Sequence, residues 1–313
     1  MRILVTGAAG FIASHVADRF LSLGHDVAVV DNLSTGRREN VASGARLVEG
    51  DIASPEVAAF IGDFKPEIVD HHAAHADVRQ SVADPLHDAQ TNVLGTIGLL
   101  QASAAAGVRK FIFVSSGGAI YGDPTTVPCT EDTIPQPVSP YAASKEAGEV
   151  YVKTFSRIYG MDYTILRYPN VYGPRQHPYT EEGQVVSLFA RLMLEHKQPT
   201  IFGDGEQERD FVYVGDIVEA NALALEHGSG GTFNIGWGVG VTVNDLARRL
   251  KAITGYEGEI GYAPARPGEV LRIALDATRA RLDLGWQPRT PLDQGLRNVV
   301  EWVAEERANG SGQ

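Results

Sequence analysis

A single cysteine, Cys129, stands among the 313 residues, which excludes an internal disulfide framework and any multi-cysteine metal site. No apolar run approaches the ~20 residues that a membrane-crossing helix needs. Positive charge is scarce: 27 Lys and Arg against 39 Asp and Glu leave a formal net charge of −12. That balance argues against nucleic acid or an anionic membrane surface as a partner. Internal repeats and low-complexity tracts are lacking too. Arg2–Val5 reads as a strand, not as a charged segment leading into an apolar stretch, so no signal peptide and a cytoplasmic protein are expected. The length suits one large α/β unit with a smaller lobe.

What the chain does have is alternation. Strand-like runs recur at Ile3–Val5, Val27–Val30, Arg46–Val48, Ile68–Val69, Lys110–Val114 and Tyr163–Leu166. Helical periodicity lies between them, notably at Ala89–Ala106 and Tyr141–Tyr159. This order predicts parallel strands joined by right-handed crossovers, with ligand at the carboxyl ends of the strands. After Pro169 the rhythm breaks: Gly, Pro and Tyr accumulate, helices are expected at about 185–195 and 243–254, and Gly203–Arg209 reads as a turn-rich loop. The fold class expected is a Rossmann-type doubly wound parallel sheet with a smaller mixed α/β substrate lobe. Residues 1–168 plus about 211–235 form the dinucleotide side, 169–210 and about 236–305 the lobe, and 306–313 a tail.

The first strand runs directly into Gly7-Ala-Ala-Gly10-Phe11-Ile12-Ala13, followed by a helical pattern (Val16, Phe20, Leu21, Leu23) closed by Gly24. Glycines between a strand and a helix let the backbone approach a pyrophosphate, whose charge then sits at the helix N-terminus. The second strand ends at Asp31, placed to accept from the adenosine ribose hydroxyls. A carboxylate there repels a 2′-phosphate, so NAD is expected over NADP. Asp51, after the third strand, is placed to meet the adenine.

Further along stands Ser139-Pro140-Tyr141-Ala-Ala-Ser-Lys145. Serine followed by proline is a helix N-cap signature, which puts Tyr141 and Lys145 on one face, one turn apart. An ammonium beside a phenol favours the phenolate, so Lys145 is expected to lower the tyrosine pKa from its ordinary ~10 and make Tyr141 a base near neutral pH.

These segments, with Asp31-Asn32, Ser115-Ser116, Tyr121-Gly122, Arg167-Tyr-Pro-Asn170-Val-Tyr-Gly173-Pro-Arg175 and Gly203-Asp-Gly205-x-x-x-Arg209-Asp210, resemble the extended short-chain dehydrogenase/reductases over about residues 1 to 305. Within that family the chain is most similar to nucleotide-sugar 4-epimerases that interconvert UDP-glucose and UDP-galactose. The resemblance implies that Tyr141 acts on the sugar 4-hydroxyl, and that Lys145 binds the nicotinamide ribose. It further implies NAD contacts from Gly7, Gly10, Phe11, Ile12, Asp31, Asn32, Ser34, Thr35, Gly36, Asp51, Ile52, Ala73, Ala74, Asn92, Ser115 and Tyr168. Asn170, Phe202, Arg209 and Arg266 are implied for the nucleotide diphosphate and its base, with Arg175 a helper and Tyr213 a second aromatic for the base. The implied assembly is a homodimer built on the two long helical patterns.

Three positions depart from the family. Many members carry the hydroxyl that bonds the reacting oxygen four residues before the tyrosine of Tyr121-Gly122; here that position is Gly117, and Ser116 is expected to serve instead. Ala13 replaces a usual glycine, and Pro169 a common phenylalanine. A 4,6-dehydratase would carry Asp-Glu where this chain has Gly117-Gly118. A non-catalytic NAD-binding regulator would be expected to lose Tyr141 or Lys145. Epimerases of UDP-glucuronate or UDP-N-acetylhexosamines remain as alternatives, and Ile273 is implied to face the sugar. No metal is expected: His71, His72 and His75 have no companion cysteines, and the chemistry has no use for a metal there.

Overall fold

The computed structural model describes residues 1–176, 185–265 and 270–308. Short β-branched runs form β1 (Arg2–Thr6), β2 (Asp26–Asp31), β3 (Arg46–Glu49), β4 (Ile68–His71), β5 (Lys110–Ser116) and β6 (Asp162–Tyr168). With a later strand, Gly231–Asn234, they make a seven-stranded parallel sheet in the order Gly231–Asn234, β6, β5, β4, β1, β2, β3. The order reverses where β1 lies between β4 and β2, and the crevice at such a switch point is where a doubly wound sheet receives its ligand.

Both faces of the sheet are covered, which is why β1 reads as an unbroken apolar run rather than an alternating one. Ile3, Val5, Ile112, Val114 and Leu166 pack against α1 (Phe11–Ser22) and the later helix Val214–Ala224. Leu4, Val69, Phe111, Phe113 and Ile165 face α2 (Pro55–Phe64) and two further helices, Gly95–Ala105 and Pro140–Tyr159.

Between them, α3 (Val78–Ala83) and α4 (Pro85–Ala89) precede a π-helical turn, Gln90–Leu94, which leads into α5 (Gly95–Ala105). The single helix predicted over Ala89–Ala106 is therefore divided. The turn is where the Asn92 side chain aims its amide at three acceptors, the His75 carbonyl at 2.9 Å, Asp88 at 3.0 Å and Ser144 at 3.1 Å. A one-turn helix, α6 (Gly117–Ile120), follows β5 where only a strand end was expected, and α7 (Pro140–Tyr159) carries the tyrosine and lysine. Ser139 caps α7 by accepting from the Ala142 amide at 3.2 Å, as its sequence predicts.

Beyond β6, α8 (Val185–Leu194), α9 (Val214–Ala224), α10 (Val243–Thr254) and α11 (Leu292–Ala308) complete the chain. Tyr172, Val186, Phe189, Ile201, Leu246, Leu250, Val299 and Val303 form a separate apolar core. The helix α11 continues through Ala308, past the boundary at 306 drawn from the sequence. No helix among the described residues is long and apolar enough to cross a membrane.

At the sheet end away from the switch-point crevice, Lys110 is 1 % exposed and donates from Nζ to the His227 carbonyl at 2.6 Å. Burial lowers its pKa to about 8, with Asp162 opposing. Between pH 8 and the ordinary lysine value the unfolded chain binds more protons there than the folded one, so stability rises with pH. The Lys110→Met variant is expected to lose that rise. Thermal midpoints at pH 7, 8 and 9 check it, with wild type gaining on the variant as pH increases.

Candidate active site

The Gly7–Gly10 turn closes tightly over the end of β1. The Gly7 amide donates to the Val30 carbonyl at 2.8 Å and the Gly10 amide to the Gly7 carbonyl at 3.0 Å. Gly7 sits at φ +72°, and a Cβ there would lie 2.9 Å from backbone atoms of Ala73. Gly10 begins α1 with no side-chain cap, so the first-turn amides around Phe11 and Ile12 have no side-chain acceptor. A Cβ on Gly36 would meet that of Ala9 at 2.7 Å, so the loop after β2 presses directly on the turn. Ala13, the departure from glycine, is buried in the sheet core.

Asp31 joins the two loops. Its Oδ2 accepts from the Ala9 amide at 2.9 Å and its Oδ1 from the Leu33 amide at 2.8 Å. Asn32, Ser34 and Thr35 are exposed, and Asn32 Oδ1 accepts from the Ser34 amide. Asp51 is exposed and caps its own turn by accepting from the Ala53 amide; Ile52 is buried. Across the crevice the amides of His72 and Ala73 both donate to the Thr6 hydroxyl, at 3.2 and 3.1 Å, which leaves that hydroxyl to donate to His71 Nδ1 at 2.7 Å. His71 is sealed between Thr6 and Thr96, with its pKa lowered by burial. His72 faces Asp70 at 3.1 Å, and His75 bonds Gln80.

The chemical centre lies at the ends of β5 and α7. The Ser116 hydroxyl faces the Tyr141 phenol closely enough to act on its pKa. Lys145, 5 % exposed, donates from Nζ to the Val114 carbonyl at 3.0 Å and stands 6.0 Å from the centroid of the Tyr141 ring. Burial raises the Tyr141 phenol above its ordinary value; the Ser116 hydroxyl lowers it and the Asp88 charge raises it further. Burial also brings Lys145 down to about 8, against the opposing charge of Asp88. This corrects the expectation that Lys145 by itself makes Tyr141 the stronger acid. Lys145 is buried and Tyr141 half-buried, and in that setting desolvation outweighs the attraction of a neighbouring ammonium.

Ser115 turns away from this centre. Its hydroxyl donates its proton to Glu149 Oε1 at 2.6 Å. Tyr168 is buried and its hydroxyl accepts from Asn221 at 2.6 Å. Asn170 begins a strand, Asn170–Tyr172, paired with Phe211–Tyr213, and its side-chain oxygen would lie 3.6 Å from a Cβ on Gly118. The Gly117-Gly118 turn thus brings the end of β5 close to Asn170. A Cβ on Gly117 itself would meet Leu275 Cδ1 at 2.5 Å, so a hydroxyl-bearing residue there would require the Leu275 side chain to shift.

Half-buried Phe202 ends the strand Thr200–Phe202. Arg209 pairs with Val241 and donates to the Glu208 carbonyl. Arg266 lies outside the described residues. Arg175 is ion-paired with Asp18 of α1 at 2.7 Å, and Tyr213 packs with the core around α8 and α10. Ile273 is 1 % exposed among Ile120, Tyr121, Cys129 and Leu275.

The model of the NAD dependent epimerase/dehydratase family matches residues 3–236. The chain belongs to that family. It is 44 % identical over 308 residues to a UDP-glucose 4-epimerase of Mycolicibacterium smegmatis, covering 96 % of this chain and 98 % of the relative. Among solved structures, a Thermotoga maritima UDP-glucose 4-epimerase with UDP-glucose superposes with a TM-score of 0.96 at 48 % identity, covering 98 % of this chain and all of that one. A Thermus thermophilus UDP-glucose 4-epimerase in complex with NAD gives 0.93 at 42 %, covering 97 % and 99 %.

Sequence reasoning missed two groups in this family member. Asp88 is 1 % exposed on α4 and its charge reaches both Tyr141 and Lys145. Glu149, one turn beyond Lys145 on α7, is 2 % exposed and receives a bidentate Arg167 at 2.8 and 2.7 Å. The signal for Glu149 was its spacing: a carboxylate four residues after Lys145 falls on the buried face, where it needs a partner.

Proposed function

We propose that this protein is an NAD-dependent epimerase that interconverts UDP-glucose and UDP-galactose through a 4-keto sugar. The observation that carries the reading is the hydroxyl pair of Ser116 and Tyr141, beside Lys145, in a family member of this likeness to UDP-glucose 4-epimerases. The residues present fit NAD: the uncapped start of α1 and the Cβ-free cradle of Gly7, Gly10 and Gly36 suit a diphosphate. Phe11 and Ile12 border that cradle. Asp31 would accept from the adenosine ribose, with Asn32, Ser34 and Thr35 around it and Asp51 and Ile52 by the adenine. Ala73, Ala74, Asn92, Lys145 and Tyr168 would hold the nicotinamide half. When bound, NAD supplies the acceptor and donor of the hydride at carbon 4 of the sugar.

Tyr141 takes the proton of the 4-hydroxyl and returns it after the ketosugar has turned over. Ser116 donates to the oxygen whose charge changes in these steps. Lys145 keeps a cation beside the phenol when the proton arrives or leaves. Asn170, Arg209 and Arg266 serve the nucleotide diphosphate, since two adjacent phosphates call for multi-donor cations and amides, and Phe202 lines the base. In this reading residues 1–168 with about 211–235 bind the cofactor, and 169–210 with about 236–305 bind the nucleotide sugar. Exposed Val82, Leu86 and Leu94 with Val150, Ile158 and Tyr159 supply apolar faces on α3, α4, the π-turn and α7, suited to a homodimer; a cytoplasmic location completes the reading.

The deciding experiment incubates the purified protein with UDP- and dTDP-sugars, identifies products by NMR, and analyses the nucleotide released on denaturation. Formation of UDP-galactose from UDP-glucose and release of NAD are expected; exclusive turnover of a UDP-glucuronate or UDP-N-acetylhexosamine, or release of NADP, would overturn the corresponding assignment. A second expectation separates the two adjacent serines. Ser116→Ala should slow turnover by ~10²-fold, the scale of losing a preorganised donor, with little change in KM. Ser115→Ala, whose hydroxyl reaches only Glu149, should cost a few-fold. Steady-state kinetics on the pair check the order.

A further inference from the structure

Behind the Ser116–Tyr141 pair lies a buried polar network that the proposed chemistry does not use. Glu149 follows Tyr141 by eight residues and Lys145 by four on α7, so all three share one helix face. Its Oε1 accepts from the Ser115 hydroxyl at 2.6 Å and Arg167 Nε at 2.8 Å, and its Oε2 from Arg167 Nη2 at 2.7 Å. Ser115 and Arg167 are cross-strand partners in β5 and β6, and the next pair is Ser116 and Tyr168. Arg167 Nη1 donates to the Tyr121 hydroxyl at 2.7 Å, and that hydroxyl donates to Asn234 Oδ1 at 2.8 Å. The guanidinium lies 5.3 Å from the Tyr121 ring centroid. Tyr121 immediately follows α6, the turn that begins at Ser116.

One carboxylate thus ties the helix that carries Tyr141 to the strand end that carries Ser116. The same ion pair fixes the start of the segment leading to Asn170. Glu149 and Arg167 side chains are 3 % and 5 % exposed, which leaves them out of reach of solvent and of the sugar. A buried network whose members are all satisfied is rigid, and rigidity here holds two hydroxyls in register.

We infer that Glu149 is a positioning residue: through Ser115 and Arg167 it sets the placement of the Ser116 hydroxyl against the Tyr141 phenol, and thereby governs the turnover of bound sugar rather than its affinity. The inference rests on the proposed roles of Ser116 and Tyr141.

A double-mutant cycle on the NAD-loaded full chain tests it, with UDP-glucose as substrate. Glu149→Gln preserves shape but weakens the hold on Arg167, and should lower kcat by ~10- to 10²-fold, the scale of a misplaced catalytic group. KM should stay within about twofold, since the interaction lost is one felt at the transition state. In a Ser116→Ala background the same change should have almost no further effect on kcat, because the hydroxyl it positions is gone. Losses that multiply in the double variant, or that appear in KM, overturn the inference and leave Glu149 a purely structural residue. Should Glu149→Gln fail to give folded, NAD-containing protein, Ser115→Ala replaces it: its smaller loss should likewise vanish when Ser116 is absent, and persistence of the loss overturns the inference. A Ser116→Ala enzyme at full rate overturns the underlying reading as well, which distinguishes the two failures.

Discussion

Tyr141→Phe is expected to reduce turnover by ~10²-fold or more while the protein still binds UDP-glucose and retains NAD. The change removes one oxygen and leaves the ring in place at the start of α7, where the Tyr141 amide donates to Ser81 Oγ at 3.1 Å independently of the side chain. What disappears is the group that exchanges a proton with the sugar, together with its contact with the Ser116 hydroxyl. The phenol acts on a proton that moves in the transition state, so its loss belongs to kcat rather than to binding. Steady-state rates with calorimetric binding of UDP-glucose separate the two; near-full turnover would end the proposed mechanism.

Gly7→Val is expected to yield a protein that carries no NAD and shows no epimerase activity. Two costs combine. The backbone at φ +72° belongs to the left-handed region, which a β-branched residue enters only with strain of ~1–3 kcal/mol. The added Cβ also lies 2.9 Å from the Cα and nitrogen of Ala73, so β1 and β4 must separate at the crevice itself. Gly24 provides the control: it sits at φ +79° with open space around its missing Cβ. Gly24→Ala should lose ~1 kcal/mol of stability and keep its nucleotide. Absorbance of the nucleotide released on denaturation, set beside thermal midpoints, distinguishes strain from loss of the cradle. NAD retained by Gly7→Val would remove this turn from the cofactor site.

Residues whose message is local were legible in the sequence. The glycine turn after β1, the acid at the end of β2 and the serine-proline cap of α7 each declare themselves within a few positions, and the sheet follows from their repetition. Contacts made across the chain were not. Arg167 meets Glu149 only after β6 has paired with β5, and Arg175 meets Asp18 of α1 across most of the chain. The π-turn at Asn92 interrupts a pattern whose apolar spacing is helical throughout, because the competing bonds come from His75, Asp88 and Ser144. The state of Lys145 depends on burial, which no spacing expresses; charge proximity alone led to the opposite direction for Tyr141. The helix α11 went unassigned, and Ile273 proved to be packed in a small apolar cluster.

The lobe core draws on Tyr172, α8, Ile201, Phe211, α10 and α11, and this spread along the chain imposes an order on synthesis. Strands β1 to β6 emerge from the ribosome first and can begin to assemble, but the sheet waits for its edge strand at 231–234. The lobe waits longer still: until α11 emerges, the apolar sides of α8 and α10 have only each other and the short strands around Ile201 and Phe211 for cover. A nascent chain therefore passes through an interval with a nearly complete nucleotide fold and an open, sticky second half, the species on which chaperones act. Loss of the last seventeen-residue helix would prolong that interval indefinitely.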